Sequence, residues 1–62
     1  MKQYTKLPKS IIGKECTILT GFMAGEWGII RMIDEDGYLH VSPYGSETEA
    51  LIFEPREVKI KK

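Results

Sequence analysis

Residues 13–33 read GKECTILTGFMAGEWGIIRMI, and this stretch determines the expected fold. It contains an alternating apolar run at 15–20, then a loop with two glycines, then a nearly unbroken apolar run at 27–33. Glycine suits tight turns and close approaches of the backbone, and a period of two is typical of a half-buried strand. The stretch therefore predicts two β-strands joined by a glycine-rich loop.

The second predicted strand is apolar on both faces, which suits a long bent strand shared by two packed sheets. Strict alternation would place Ile30 and Met32 on one face and Trp27, Ile29 and Ile33 on the other.

The remainder of the chain predicts three further strands. Asp36-Gly37 lies between apolar runs and favours a tight hairpin turn into a strand at 38–42. A loop leads to a strand at 50–53, and a one-turn 3₁₀ break at 54–57 precedes a last strand at 58–60. The prediction is an all-β domain of five short strands without an α-helix.

Residues 13–33 resemble a KOW motif. Its counterparts are Cys16-Thr17-Ile18, then Gly21, then the run GEWGII at 25–30, and the ending FEPREV at 53–58 is similar to the close of SH3-like barrels. The resemblance implies a five-stranded SH3-like barrel at 13–62 preceded by a basic N-terminal arm at 1–12.

Proteins of the KOW family bind RNA, or ribosomal or transcription proteins, and do not catalyse reactions. The resemblance therefore implies a binding module whose partner is nucleic acid or a ribonucleoprotein. Glu26 and Ile29 occupy positions at which such proteins usually carry cations.

The net charge of zero hides a segregation of charge. Residues 1–14 carry four lysines and no acid, 15–58 carry two arginines against nine acids, and 59–62 carry three lysines. If the first and last strands are adjacent, as in an SH3-like barrel, the lysines near the two ends converge on one patch that could contact phosphates. The members of this expected patch are Lys9, Lys14, Lys59, Lys61 and Lys62. The alternative is that both ends are solubilising tails.

Aromatic side chains offer a second candidate contact for nucleic acid. Tyr38 and His40 alternate with apolar residues and should share the outer face of the third strand, near Tyr44. Aromatic groups on a sheet stack single-stranded bases, although an ordinary solvated surface explains the same pattern.

A protein-interaction module is the competing function. Its candidate contacts are Phe22 and Met23 at the loop tip, together with Trp27 and Tyr44. Exposed apolar side chains on a loop indicate a partner contact. The alternatives are that Phe22 plugs the end of the barrel and that Trp27 packs in the core.

Enzymatic and cofactor-dependent functions are not expected. The single histidine, His40, has no visible partner for catalysis or metal binding, and the single cysteine, Cys16, lies in an alternating run typical of a buried packing residue. No small-molecule substrate is indicated, and no cofactor or metal is expected. No apolar run approaches the ~20 residues that span a bilayer, and no secretion signal is apparent. We therefore expect a cytoplasmic protein without membrane contact.

Overall fold

The structure is a computed structural model that describes residues 8–61. Its five strands are β1 (Glu15–Ile18), β2 (Trp27–Ile33), β3 (Leu39–Pro43), β4 (Leu51–Phe53) and β5 (Val58–Ile60). Three 3₁₀ turns lie at Lys9–Ile11, Gly21–Met23 and Pro55–Glu57. The first seven residues of the predicted N-terminal arm, and Lys62, lie outside the described residues.

All five strands form one antiparallel sheet in the order β4-β3-β2-β1-β5. The prediction of five strands, with a 3₁₀ turn before the last, is confirmed. Within the described residues no ladder joins β4 to β5, so the sheet is open and these two strands are its edges.

A β-bulge at Arg31 changes which side chains of β2 face the core. Ile30 pairs with Val41, but the next pair along the ladder is Met32 with His40, which leaves Arg31 unopposed. A bulge inserts one residue and so shifts the alternation by one position. Ile33 therefore packs against the core, whereas Met32 is 45% exposed. The prediction that Ile30 and Met32 share a face was wrong for this reason.

The core lies on the inner face of the sheet. It is formed by Ile11, Cys16, Ile18, Ile30, Leu39, Val41 and Val58. Partly buried residues from the loops and strand ends pack against it, namely Met23, Ile33, Phe53 and Ile60. Alternation in the sequence predicts Cys16 and Ile18 as the inward positions of the first strand and Leu39 and Val41 as those of the third, and this prediction is confirmed.

Gly28 lies where β3 packs closely against β2. A Cβ at this position would lie 2.5 Å from Val41 Cγ1 and 2.9 Å from the Ser42 carbonyl oxygen. The position therefore requires glycine because the neighbouring strand occupies the space.

Candidate binding face

One row of side chains crosses the outer face of the sheet from β5 to the loop after β3. Thr17 pairs with Lys59 on one side and with Trp27 on the other, and the Tyr44 N–H donates to the Trp27 carbonyl at 3.0 Å. Thr17 is exposed between two inward residues of β1, and directly paired residues share a face. We call Lys59, Thr17, Trp27 and Tyr44 the outer-face row.

The row brings a cation near an exposed aromatic pair. Neighbouring strands lie about 4.8 Å apart, so the Cα atoms of Lys59 and Trp27 are about 10 Å apart. The rings of Trp27 and Tyr44 meet edge to face, with centroids 6.2 Å apart and planes at 82°. Trp27 is 41% exposed and Tyr44 is 54% exposed, so Trp27 is not a core residue as the packing alternative required.

Tyr44 occupies a backbone conformation that non-glycine residues rarely adopt. Its φ is 57°, and it lies at the centre of two overlapping turns closed by Gly45 N–H to Ser42 O and Ser46 N–H to Pro43 O, both at 3.0 Å. The left-handed region costs an L-residue about 1–2 kcal/mol. Such strain persists only where the surroundings fix it, and it concentrates at functional positions.

The loop after β3 lies alongside β2 near Gly45, where the positive φ favours glycine. A Cβ on Gly45, whose φ is 74°, would lie 3.5 Å from the Trp27 ring and 3.7 Å from Ile29. These are ordinary van der Waals distances, so the loop lies alongside the indole, and the Tyr44 ring meets the indole edge to face.

Arg31, the bulge residue, donates hydrogen bonds to the end of β3 and to the same loop. Its Nε donates to Ser42 Oγ at 2.9 Å, and an Nη donates to the Gly45 carbonyl at 3.2 Å. Ser42 is buried, so the guanidinium satisfies a hydroxyl that has little access to water. Sequence reasoning missed this role of Arg31 because no residue type in β2 signals the bulge.

Glu26 directly precedes Trp27 in the chain and is exposed to solvent. The pKa of Tyr44 is raised above its ordinary value of 10.0, first because its hydroxyl is partly desolvated and then because of its interaction with the Glu26 carboxylate.

The lysines of the expected patch are only partly brought together. Lys59 and Lys61 flank the partly buried Ile60 on β5, which pairs with β1 as expected. Glu15 on β1 lies beside Lys61, whose Nζ is 3.9 Å from Glu15 Oε1, whereas Lys59 lies opposite Thr17. Lys14 directly precedes β1, whereas Lys9 is exposed in the first 3₁₀ turn.

Tyr38 and His40 lie away from this row: Tyr38 is exposed directly before β3, and His40 lies on β3. His40 is flanked across the ladder by Met32 and Ile52, four to five residues along the strands from the Trp27 end. Tyr44 does not join this group, because its ring contacts Trp27.

His40 has a partner that sequence reasoning did not identify. Its Nε2 lies 3.0 Å from Asp34 Oδ2, while Asp34 Oδ1 accepts the N–H groups of Asp36 and Tyr38 at 3.0 Å. The hydrogen bond with His40, supported by these two N–H groups, holds the pKa of Asp34 below its ordinary value of 3.8. The statement that His40 lacks a partner was wrong, because the hairpin bends Asp34 back beside it.

The two adjacent apolar residues at the loop tip, Phe22 and Met23, lie in different environments. Phe22 is 93% exposed, whereas Met23 packs against the core. The expectation that Phe22 plugs one end of the fold was therefore wrong. A shallow apolar groove runs between this loop and β4, lined by Thr20, Gly21, Phe22, Met23, Leu51, Ile52 and Phe53.

Comparison with protein-family models, curated proteins and solved structures gave no match for this chain. No helix among residues 8–61 has the length and apolar character needed to cross a membrane. In that same part of the chain, no three His, Cys, Asp or Glu side chains are grouped as metal ligands would be.

Proposed function

We propose that this chain is a cytoplasmic SH3-like module of the KOW type that binds single-stranded nucleic acid, alone or within a ribonucleoprotein, and has no catalytic activity. The outer-face row carries the proposal, because it sets Lys59 two strands from the exposed Trp27–Tyr44 pair on one surface. Proteins that bind single strands combine cations along the backbone path with aromatic side chains that stack the bases.

The two ends of the row have different tasks. Trp27 and Tyr44 offer ring surface to a base, and such stacking contributes about 1–3 kcal/mol per base. Lys59, with Lys61 and Lys14 nearby, contacts phosphates, and each such contact makes binding weaker as salt rises. This assignment moves the stacking role from Tyr38 and His40 to Trp27 and Tyr44.

A protein-binding function is the second candidate, and the exposure of Phe22 favours it. A phenylalanine that is 93% exposed beside an apolar groove is unusual in a chain with so small a core. This surface lies at the loop and β4, away from the outer-face row.

Trp27 is the only tryptophan of the chain, so its fluorescence reports directly on the proposed surface. Titration with a ten-nucleotide single-stranded RNA at low salt should quench the emission, and raising the salt should reverse the quenching. Lys59→Gln should weaken binding and reduce the salt slope by about one phosphate contact. Arg56→Gln is the matched control, because Arg56 is an exposed cation outside the row. Absence of quenching at low salt would overturn the proposal.

A further inference from the structure

Hydrogen bonds along β3 alternate between its two neighbouring strands. The Tyr44 N–H donates to the Trp27 carbonyl at 3.0 Å, so position 44 faces β2. Successive residues of an antiparallel strand direct their backbone groups to opposite sides, so positions 42 and 40 face β2 as well. The backbone groups of Leu39 and Val41 therefore face β4.

The backbone of Ile52 is consequently directed to an open edge. Its neighbours on β4, Leu51 and Phe53, lie opposite the two residues of β3 that face β4, so these neighbours make the hydrogen bonds of the ladder. The N–H and carbonyl of Ile52 point away from β3. Within residues 8–61, β4 is the last strand on this side of the sheet, so another chain can pair with Ile52 there.

The 3₁₀ turn after β4 closes one end of this edge. The Glu54 N–H donates to Glu57 Oε1 at 2.8 Å, and the Glu54 carbonyl accepts the Glu57 N–H at 2.9 Å. The open stretch of the edge therefore consists of Ile52 and the residues that precede it.

The two edges of the sheet differ in charge. β5 carries Lys59 at its centre, and lysine on an edge strand discourages pairing with another chain. The run ALIF at 50–53 carries no charge, and the Ile52 side chain is 59% exposed. Of the two edges, β4 is therefore the one suited to accept a further strand.

The apolar groove between the loop tip and β4 lies beside this open edge, since Leu51, Ile52 and Phe53 form one of its walls. Side chains of a strand alternate between its two faces. A strand paired with Ile52 would place one set of side chains in the groove, against Phe22, and the other set beside the Ile52 side chain. Both faces of such a strand would contact apolar groups, so its centre should be apolar.

Acidic residues stand at both ends of the edge. Glu47 and Glu49 are exposed before β4, and Glu54 is partly exposed after it. Arg56 Nε lies 3.0 Å from Glu54 Oε1 and offsets one of these charges. The remaining negative charge favours a partner with cations at its ends and repels phosphate.

A second copy of this chain fits the edge less well. Antiparallel pairing about a two-fold axis at Ile52 would bring Glu49 of one copy near Glu54 of the other at both ends of the new ladder. These like charges repel each other, so the charges disfavour self-pairing.

We propose that β4 accepts an extended segment of another protein as a sixth strand, and that this segment is apolar at its centre and carries lysine or arginine at both ends. In this mode of recognition, backbone hydrogen bonds contribute affinity and the side-chain pockets give specificity. The inference rests on the second candidate function, protein binding, and goes beyond the binding of nucleic acid by the outer-face row.

The probe is a capped nine-residue peptide with the central run Val-Phe-Val-Ile-Val and two lysines at each end. Titrated into ¹⁵N-labelled protein at low salt, it should shift the amide signals of residues 21–23 and 50–54 and slow the hydrogen exchange of the Ile52 amide. The same peptide with glutamates at its ends should bind about tenfold more weakly.

A charge reversal on the protein tests the acidic ends. Glu49→Lys should weaken binding of the lysine peptide and strengthen binding of the glutamate peptide. Glu15→Lys is the matched control, because Glu15 lies on β1 beside Lys61, and it should leave both affinities nearly unchanged.

Backbone pairing is tested on both partners. Ile52→Pro removes the outward N–H without removing a hydrogen bond to β3, so it should abolish binding, whereas Ile52→Thr keeps the N–H and should still bind. Two peptides that are N-methylated at alternate positions give the same test with the wild-type chain. Only one set of peptide N–H groups can face β4, so one of these peptides should bind and the other should not.

The outcomes separate this inference from nucleic-acid binding. Absence of shifts at 50–54 with every peptide overturns the inference, whatever the response of Trp27 fluorescence to RNA. Equal binding of the two N-methylated peptides overturns strand addition. Shifts at 50–54 that grow with protein concentration without peptide assign the edge to a second copy, and shifts there on addition of RNA assign it to nucleic acid; either result overturns the proposal.

Discussion

The Nε2 atom of His40 lies 3.0 Å from Oδ2 of Asp34, across the hairpin that joins β2 to β3. The other oxygen of Asp34 accepts two backbone N–H groups of the turn. One carboxylate therefore organises the turn and holds the only histidine of the chain.

This arrangement predicts an acid-sensitive contribution of Asp34 to folding. Because its pKa is lower in the folded protein than its ordinary value of 3.8, the stabilisation is fully present above that value and is lost as the pH falls through the folded value. In urea unfolding between pH 2 and 7, Asp34→Asn should be less stable than wild type at neutral pH, and the two should converge at the acid end. Glu35 is an exposed acid of the same turn, so Glu35→Gln should show the same dependence of stability on pH as wild type. Parallel curves for Asp34→Asn and wild type at every pH would contradict the prediction.

Gly28→Ala should destabilise the sheet by about 1–3 kcal/mol, because the new methyl group overlaps Val41 and the Ser42 carbonyl. Thermal and urea unfolding measure the loss. Val41→Ala removes part of this overlap. The double variant should therefore lose less free energy of unfolding than the sum of the losses in the two single variants. Simple additivity would show that β3 moves aside instead.

Met23 and Phe22 are adjacent, yet they should respond in opposite ways to replacement by serine. Met23→Ser should lower the free energy of unfolding by about 1–3 kcal/mol, since Met23 covers the core. Phe22→Ser should change it by less than about 0.5 kcal/mol, since the ring is exposed. Chemical denaturation of both variants tests the pair. A loss of stability in Phe22→Ser alone would place the phenylalanine in the core.

Cys16 should be unreactive in the folded protein. Its side chain is fully buried, and burial raises the pKa of the thiol above 9.0, so the reactive thiolate is scarce at pH 8. In the folded protein at pH 8, a disulfide reagent should label Cys16 only at the rate at which the protein unfolds locally or globally. In concentrated urea, labelling should be complete within seconds. Rapid labelling without denaturant would mean that β1 and β5 separate readily.

Most of the sheet could be predicted from the sequence because its signals are local. The bounds of β2 and β5 were predicted as the structure has them. The inward faces of the first and third strands follow directly from alternation at Cys16, Ile18, Leu39 and Val41. Periodicity, turn residues and short length were sufficient there.

The candidate site was less predictable because it depends on register and backbone conformation. Tyr44 has φ 57°, a conformation that sequence patterns assign to glycine or asparagine. Alternation alone does not decide whether Trp27 faces the core or the solvent. Its pairing with Thr17, which also pairs with Lys59, places Trp27 and Lys59 on the same outer face. The contact of Asp34 with His40 likewise depends on how the hairpin closes.

The unopposed position of Arg31 has a consequence for insertions and deletions in this chain. A β2 lacking residue 31 would alternate regularly, and Ile30 and Ile33 would still face the core with Met32 outside. The sheet can thus accept the shorter strand, and the deletion would remove the hydrogen bonds from Arg31 to Ser42 and Gly45 but no core residue. Residue 31 is thus an insertion that the alternation of β2 does not require. Its deletion would release the loop that holds Tyr44 beside Trp27.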